Sequence, residues 1–211
     1  MRGDTPLLAP GEDGLDEIAR LRVPRRTISL NGKRVGAEYQ SAGGTGDGEG
    51  SGDGGEDTET SEPLLYWLRE HFDQRGPRYG CGVSQCGACT VLVDGAPTRS
   101  CTTDVHTVPE RAEVRTLDGL AHGGRRHPLQ RAFVEFQAGQ CAFCVNAMVM
   151  GALGWLEGRI AAGQRAVPSE GEIRDFLSGA SEDNTRNYLC RCGAHNRITA
   201  AIRSAAKEMV K

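Results

Sequence analysis

Eight cysteines in two ordered sets of four constrain this chain more than any other feature. The first set is Cys81-x4-Cys86-x2-Cys89-x11-Cys101; the second is Cys141-x2-Cys144 followed by Cys190-x-Cys192. An even count invites a disulfide framework, but such frameworks belong to small secreted domains. The opening stretch MRGDTPLLAPGEDGLDEIARLRVPRR contains no secretory apolar segment, and its arginines do not precede one. Metal ligation is therefore the stronger reading. The chain is expected in the cytoplasm, or in the periplasm only if a partner's signal carries it there.

The first three cysteines of the first set have the C-x4-C-x2-C spacing of a plant-type [2Fe–2S] centre. Each of its two irons needs two thiolates, and three ligands from one tight loop plus one from a distant segment supply them. Gly80, Gly82 and Gly87 remove Cβ atoms where backbone must wrap a cluster and leave N–H groups to face sulfur. A zinc site would show two short C-x2-4-C knuckles instead. The second set is open on spacing alone: two separated pairs suit zinc or one [2Fe–2S] cluster. Cys141 and Cys144 lie near one helix start, and Cys190 and Cys192 near another, where the dipole and free N–H groups favour an anion. A thioredoxin-like pair would need a strand before Cys141, and the pattern there is helical.

Composition narrows the partners. The formal charge of −3 carries no nucleic-acid footprint. No apolar run reaches the ~20 residues of a membrane span. Aromatics are only 5% of the chain, so cores are modest and gain from metal crosslinks.

Local signals place elements around the cysteines. RTISL-NG-KRVGAEY reads as a hairpin with a type I′ turn at Asn31-Gly32, Ile28 and Leu30 sharing one face. Ser61 is the candidate N-cap of a helix with Pro63 in its first turn and a stripe of Leu64, Leu65 and Leu68. TVLVDG is a strand closed by Asp94-Gly95, and Val114 to Leu117 is one more. Leu129, Ala132, Phe133 and Phe136 recur at helical spacing after His127-Pro128, with Gly139 placed for a left-handed end. Val145 to Leu156 is apolar nearly all round, as in a buried helix. Ser169-x-x-Glu172 is a capping box, and Ile198, Ala201, Ile202, Ala205 and Met209 mark a last helix.

With these flanks in view, YGCGVSQCGACTVLVDG and its later Ser100-Cys101, GQCAFCVNAMVMGAL and NYLCRCGAH resemble the small iron–sulfur subunit of the xanthine oxidase family of molybdenum hydroxylases, from about residue 26 to 203. The bacterial isoquinoline- and nicotinate-type branch is the nearer match. The resemblance implies an α+β chain: an N-terminal β-grasp ferredoxin-like domain over 26–118, then an all-α four-helix [2Fe–2S] domain over 126–211. Residues 1–25 are expected as a flexible N-terminus and 41–62 as a flexible, acidic, Gly-rich insertion. It further implies two [2Fe–2S] clusters, with Cys81, Cys86, Cys89 and Cys101 on one and Cys141, Cys144, Cys190 and Cys192 on the other. A large partner subunit would hold a molybdopterin cofactor that Gln140 and Cys192 contact but do not hold. The helical-domain cluster would lie beside the pterin. The ferredoxin-like cluster would pass electrons outward, to a FAD subunit or a cytochrome c.

Departures from many relatives occur at Val145-Asn146-Ala147 after Cys144, at Gly193-Ala194-His195 after Cys192, and in an extra SEDNTR segment at 181–186. All ligands are kept. Arg191, between two ligands, reads as a cluster-tuning or partner-facing residue as readily as an exposed one. His106, His122, His127 and His195 lack ligand spacing, and Tyr66, Trp67 and Trp155 read as core or interface anchors. No Ser/His/Asp or carboxylate constellation and no dinucleotide Gly motif is present, so no turnover is expected from this chain alone. The alternative functions are a stand-alone ferredoxin, an iron–sulfur redox sensor and a zinc-stabilised interaction module.

Overall fold

The computed structural model describes residues 24–39, 41–42, 60–180 and 187–211. The expectations for residues 1–23 and 43–59 and for the 181–186 segment lie outside these. Strands β1 (Arg25–Leu30) and β2 (Lys33–Glu38) form the expected hairpin, with Asn31 at φ 51° and Gly32 at φ 79° in its turn. Strands β5 (Thr90–Val93) and β6 (Ala96–Arg99) repeat the device through Asp94 and Gly95, at φ 48° and 81°. With β7 (Glu113–Arg115) they make a mixed sheet of order β2-β1-β7-β5-β6, parallel only between β1 and β7. Short strands β3 (Ser41–Ala42) and β4 (Thr60–Ser61) pair antiparallel, so the ends of the expected 41–62 loop are ordered against each other.

Five helices accompany the sheet among the described residues: α1 (Leu64–Phe72), α2 (Pro128–Glu135), α3 (Val145–Ala161), α4 (Glu170–Ser178) and α5 (His195–Met209). Helix α1 buries Leu64, Trp67 and Leu68 against Ile28, Leu30, Val91 and Val114 of the sheet. Helices α2 to α5 share a second core built on the apolar α3. Strand β5 serves both. Its alternate residues point to opposite faces, so Val91 joins the first core and Leu92 the second. No helix among the described residues is long and apolar enough to cross a membrane.

Several local expectations need correction. Pro63, not Ser61, occupies the N-cap of α1, and no side chain caps it. Proline's fixed φ of about −65° suits the extended cap geometry, here φ −60°, ψ 136°. Helix α2 ends earlier than Gly139: Gln137 takes the left-handed position at φ 47°. The Ala138 N–H then reaches back to the Phe133 carbonyl at 2.9 Å, closing a Schellman-type end. Phe136 consequently leaves the buried stripe and is 36% exposed. The last strand stops at Arg115 because the Thr116 N–H turns to the Asn31 Oδ1 (2.9 Å), and Leu117–Gly119 forms a 3-10 turn. The capping box is as expected, with Glu172 N–H donating to Ser169 Oγ and Ser169 N–H to Glu172 Oε2.

Candidate metal centres

The loop before β5 carries Cys81, Cys86 and Cys89, and Cys101 follows β6. Cys81 sulfur accepts N–H groups of Val83 (3.4 Å), Gln85 (3.3 Å) and Cys86 (3.3 Å), and the Cys81 N–H donates to Cys86 sulfur at 3.3 Å. This is the geometry of a loop wrapped around anionic sulfur. Burial opposes ionisation of Cys81, but these donors outweigh it and bring the thiol down to about 7. At Gly80 a Cβ would stand 2.7 Å from Cys86 sulfur, so only glycine fits beside this ligand. Cys89 and Cys101 pack together under Leu65. Burial, with Cys101 beside it, pushes Cys89 up to about 12.

The second set is split between two helix starts, as the spacing indicates. Cys144 is the N-cap residue of α3, and Cys192 lies two residues before the N-cap Ala194 of α5. Neither start has a side-chain cap, so no side chain competes there for the first N–H groups of the helix. Between Cys141 and Cys144 the chain turns through Ala142 at φ 59°. The tertiary fold, not the spacing, decides the partners: Cys141 meets Cys192, and Cys144 meets Cys190. The Phe143 N–H, then the Cys192 side chain, lower Cys141 from its ordinary value, whereas burial and then Cys190 push Cys144 up to about 12.

All eight free cysteines thus meet as four pairs: 81 with 86, 89 with 101, 141 with 192 and 144 with 190. Among the described residues no three His, Cys, Asp or Glu side chains converge on one ion. Two thiolates per iron is what a binuclear cluster requires, whereas zinc gathers four ligands at one point. Buried thiols such as Cys89 and Cys144 ionise against a bound cation. The residues present therefore fit [2Fe–2S] clusters.

Gln140 and Cys192 are both exposed and line one polar cleft of about 350 Å³, together with Gln137, Gly193, Asn196 and Arg197. Gln140 and Cys192 thus share one cleft, to which Asn196 and Arg197, which carried no local signal, also contribute. His127 is a helix cap, its Nδ1 accepting the Leu129 N–H at 3.3 Å. Trp67 is fully buried with Nε1 donating to the Glu38 carbonyl, Trp155 stacks on Phe176, and Tyr66 stacks on Tyr79. Sequence reasoning missed two arginines between the sites. Arg78 donates to the Ala142 carbonyl (2.7 Å), and Arg99 donates to the Asn187 carbonyl (2.8 Å). Nothing in their local sequence marks them.

A family described as a [2Fe-2S] binding domain matches residues 116–203. The chain is 42% identical over 145 residues to one of the subunits of nicotinate dehydrogenase from Pseudomonas putida, covering 69% of this chain and 83% of that protein. Among solved structures it is similar to quinoline 2-oxidoreductase from Pseudomonas putida 86, with TM-score 0.65, 30% identity and coverage of 89% of this chain and 95% of that one. It is also similar to the aldehyde oxidoreductase from Desulfovibrio gigas, with TM-score 0.68, 27% identity and 88% of this chain covered; there it spans 17% of a longer chain.

Proposed function

We propose a specific role for this chain, which belongs to the family of small iron–sulfur subunits of molybdenum hydroxylases: it relays electrons from a molybdopterin centre in a large partner subunit, through two [2Fe–2S] clusters, to an external acceptor. Its place as the electron-transfer subunit of an oxidoreductase complex follows from that family. The observation that carries the two-cluster reading is the meeting of eight cysteines as four pairs.

In this reading Cys81, Cys86, Cys89 and Cys101 hold one cluster within a β-grasp domain over 26–118. Cys141, Cys144, Cys190 and Cys192 hold the other within a helical domain over 126–211. Bound there, each cluster supplies a one-electron carrier. The protein's part is to keep the thiolates in place and tune them. Val83, Gln85 and Cys86 direct N–H groups at Cys81 sulfur, stabilising negative charge. The uncapped starts of α3 and α5 do the same electrostatic work at the second set.

Gln140 and Cys192 would contact the pterin of the partner subunit, Cys192 within hydrogen-bonding reach and Gln140 beside it. Their shared polar cleft supports this. The names of relatives acting on nicotinate, isoquinoline and aldehydes support a nitrogen heterocycle or an aldehyde as the complex's substrate. A FAD subunit or cytochrome c is the expected acceptor.

The deciding experiment is anaerobic purification with metal, sulfide and visible-absorption analysis. About four irons and four acid-labile sulfides per chain, with red-brown colour, are expected. Stoichiometric zinc in a colourless protein would overturn the assignment.

A further inference from the structure

We propose that residues 187–189 form a strap that sets the Cys190–Cys192 limb of the second metal site, and that Arg99, from the half of the chain carrying the first site, is the residue that positions it. The proposal rests on the two-cluster reading above.

The strap has no helix or strand of its own, so its position depends on what grips it. Every one of its residues is gripped. The Asn187 carbonyl accepts from Arg99 Nη2 at 2.8 Å. The Tyr188 ring is 3% exposed, with the Arg99 guanidinium 4.5 Å from its centroid and Phe176 at 5.3 Å. The Tyr188 N–H donates to the Leu177 carbonyl (3.0 Å), and the Leu189 N–H donates to the carbonyl of Cys86 (3.1 Å). Cys86 belongs to the first set, and Cys190 follows Leu189 directly.

Two glycines leave room for this passage. A Cβ on Gly87 would lie 2.9 Å from both Arg99 Nη1 and Tyr188 Cδ1 and 3.1 Å from the Asn187 carbonyl oxygen, and its φ of 80° disfavours any side chain. A Cβ on Gly151 of α3 would lie 2.3 Å from the Tyr188 hydroxyl. The strap therefore runs in a slot with one wall from each half of the chain.

Arg99 is suited to this task. It is half-buried, also donates to Thr90 Oγ1, and has no carboxylate partner among the described residues. A planar fork can grip a carbonyl and lie on an aromatic face at once, which lysine cannot. The physical consequence is that the limb bearing Cys190 and Cys192 takes part of its position from the first half of the chain.

The test compares Arg99→Met with Arg115→Met in the full chain. Arg115 pairs with Glu157 and also joins the two halves, but away from the strap. The readouts are iron per chain, the electron paramagnetic resonance signals of the reduced protein, and mapped alkylation rates of Cys190 and Cys192 in iron-free protein. Cys144→Ser identifies the second centre's signal. Arg99→Met should lower iron from about four to about two per chain, lose only the second centre's signal, and speed alkylation of Cys190 and Cys192 relative to Cys86. Arg115→Met should change none of these. Unchanged signals and labelling in Arg99→Met, equal loss in both variants, or loss of both centres would each overturn the strap. Fewer than four irons in the unaltered protein would instead overturn the two-cluster reading, and the alkylation comparison would still decide the strap.

Discussion

The side-chain amide of Asn146 donates to the carbonyl oxygen of Ala88 at 2.9 Å, tying the first turn of α3 to the residue before Cys89. The same nitrogen reaches the Thr90 carbonyl at 3.0 Å, and Asn146 is 1% exposed. Asn146→Ala removes a buried donor from both carbonyls, of which Ala88 keeps the Arg78 N–H at 3.0 Å, so the loss is about 2 kcal/mol. The melting temperature of the iron-loaded protein should fall by roughly 4–8 °C. Asn146→Asp should be worse, because it sets carboxylate oxygens against two carbonyl oxygens. Scanning calorimetry of both variants checks the order.

Two glycines of α3 should respond with opposite sign. Alanine in a helix interior ordinarily gains about 1 kcal/mol over glycine. At Gly158 a Cβ meets nothing within 4 Å, so Gly158→Ala should stabilise. At Gly154 it would stand 2.7 Å from Pro97 Cγ and 2.9 Å from Leu92 Cδ2, where α3 lies on the sheet. Gly154→Ala should therefore destabilise by about 1–3 kcal/mol through overpacking. Equal shifts in thermal unfolding would contradict the close approach.

His127 should make stability fall in mild acid. Burial is the main cause lowering its pKa, among Glu157, Arg115, Arg131 and Glu208. The folded chain thus prefers the neutral ring, whose Nδ1 accepts the Leu129 N–H. The contribution is fully present above the ordinary value near 6.5 and is lost as pH falls from there through the lower folded value. His127→Ser keeps a cap that does not titrate. Unfolding at pH 7.5 and 5.5 should separate the unaltered chain from His127→Ser only in acid.

Ala42 and Thr60 are antiparallel partners, so an Asn-Gly turn can join them directly. Replacing residues 43–59 by that dipeptide changes closure entropy by about 1–2 kcal/mol. Both clusters' spectra should survive. Disappearance of either would show that the segment contributes to a site.

Cys144→Ser should abolish the second centre while the first keeps its signal, because Cys144 pairs with Cys190 and not with the first set. In the assembled complex, substrate should then leave the first centre oxidised. Its rapid reduction by substrate would reverse the assigned order.

Much of this protein was legible in short stretches of sequence. Asn31-Gly32 and Asp94-Gly95 dictate their turns through positive φ. Ser169 and Glu172 dictate a helix start by satisfying each other's N–H groups, and the x4/x2 spacing makes Cys81, Cys86 and Cys89 a single loop. Each of these depends on atoms within a few residues. What lay beyond that range was decided by packing. The helix end passed from Gly139 to Gln137 because Phe133 and Ala138 close it. The N-cap fell to Pro63 where the sequence offered Ser61. Above all, the spacing of Cys141, Cys144, Cys190 and Cys192 could not state which meets which. That pairing is set by packing within the helical core, whereas the grip of Arg99 on the strap before Cys190 depends on β5 serving both cores, with Val91 and Leu92 on its opposite faces. Those faces bring two cores, and with them two sets of cysteines, against each other.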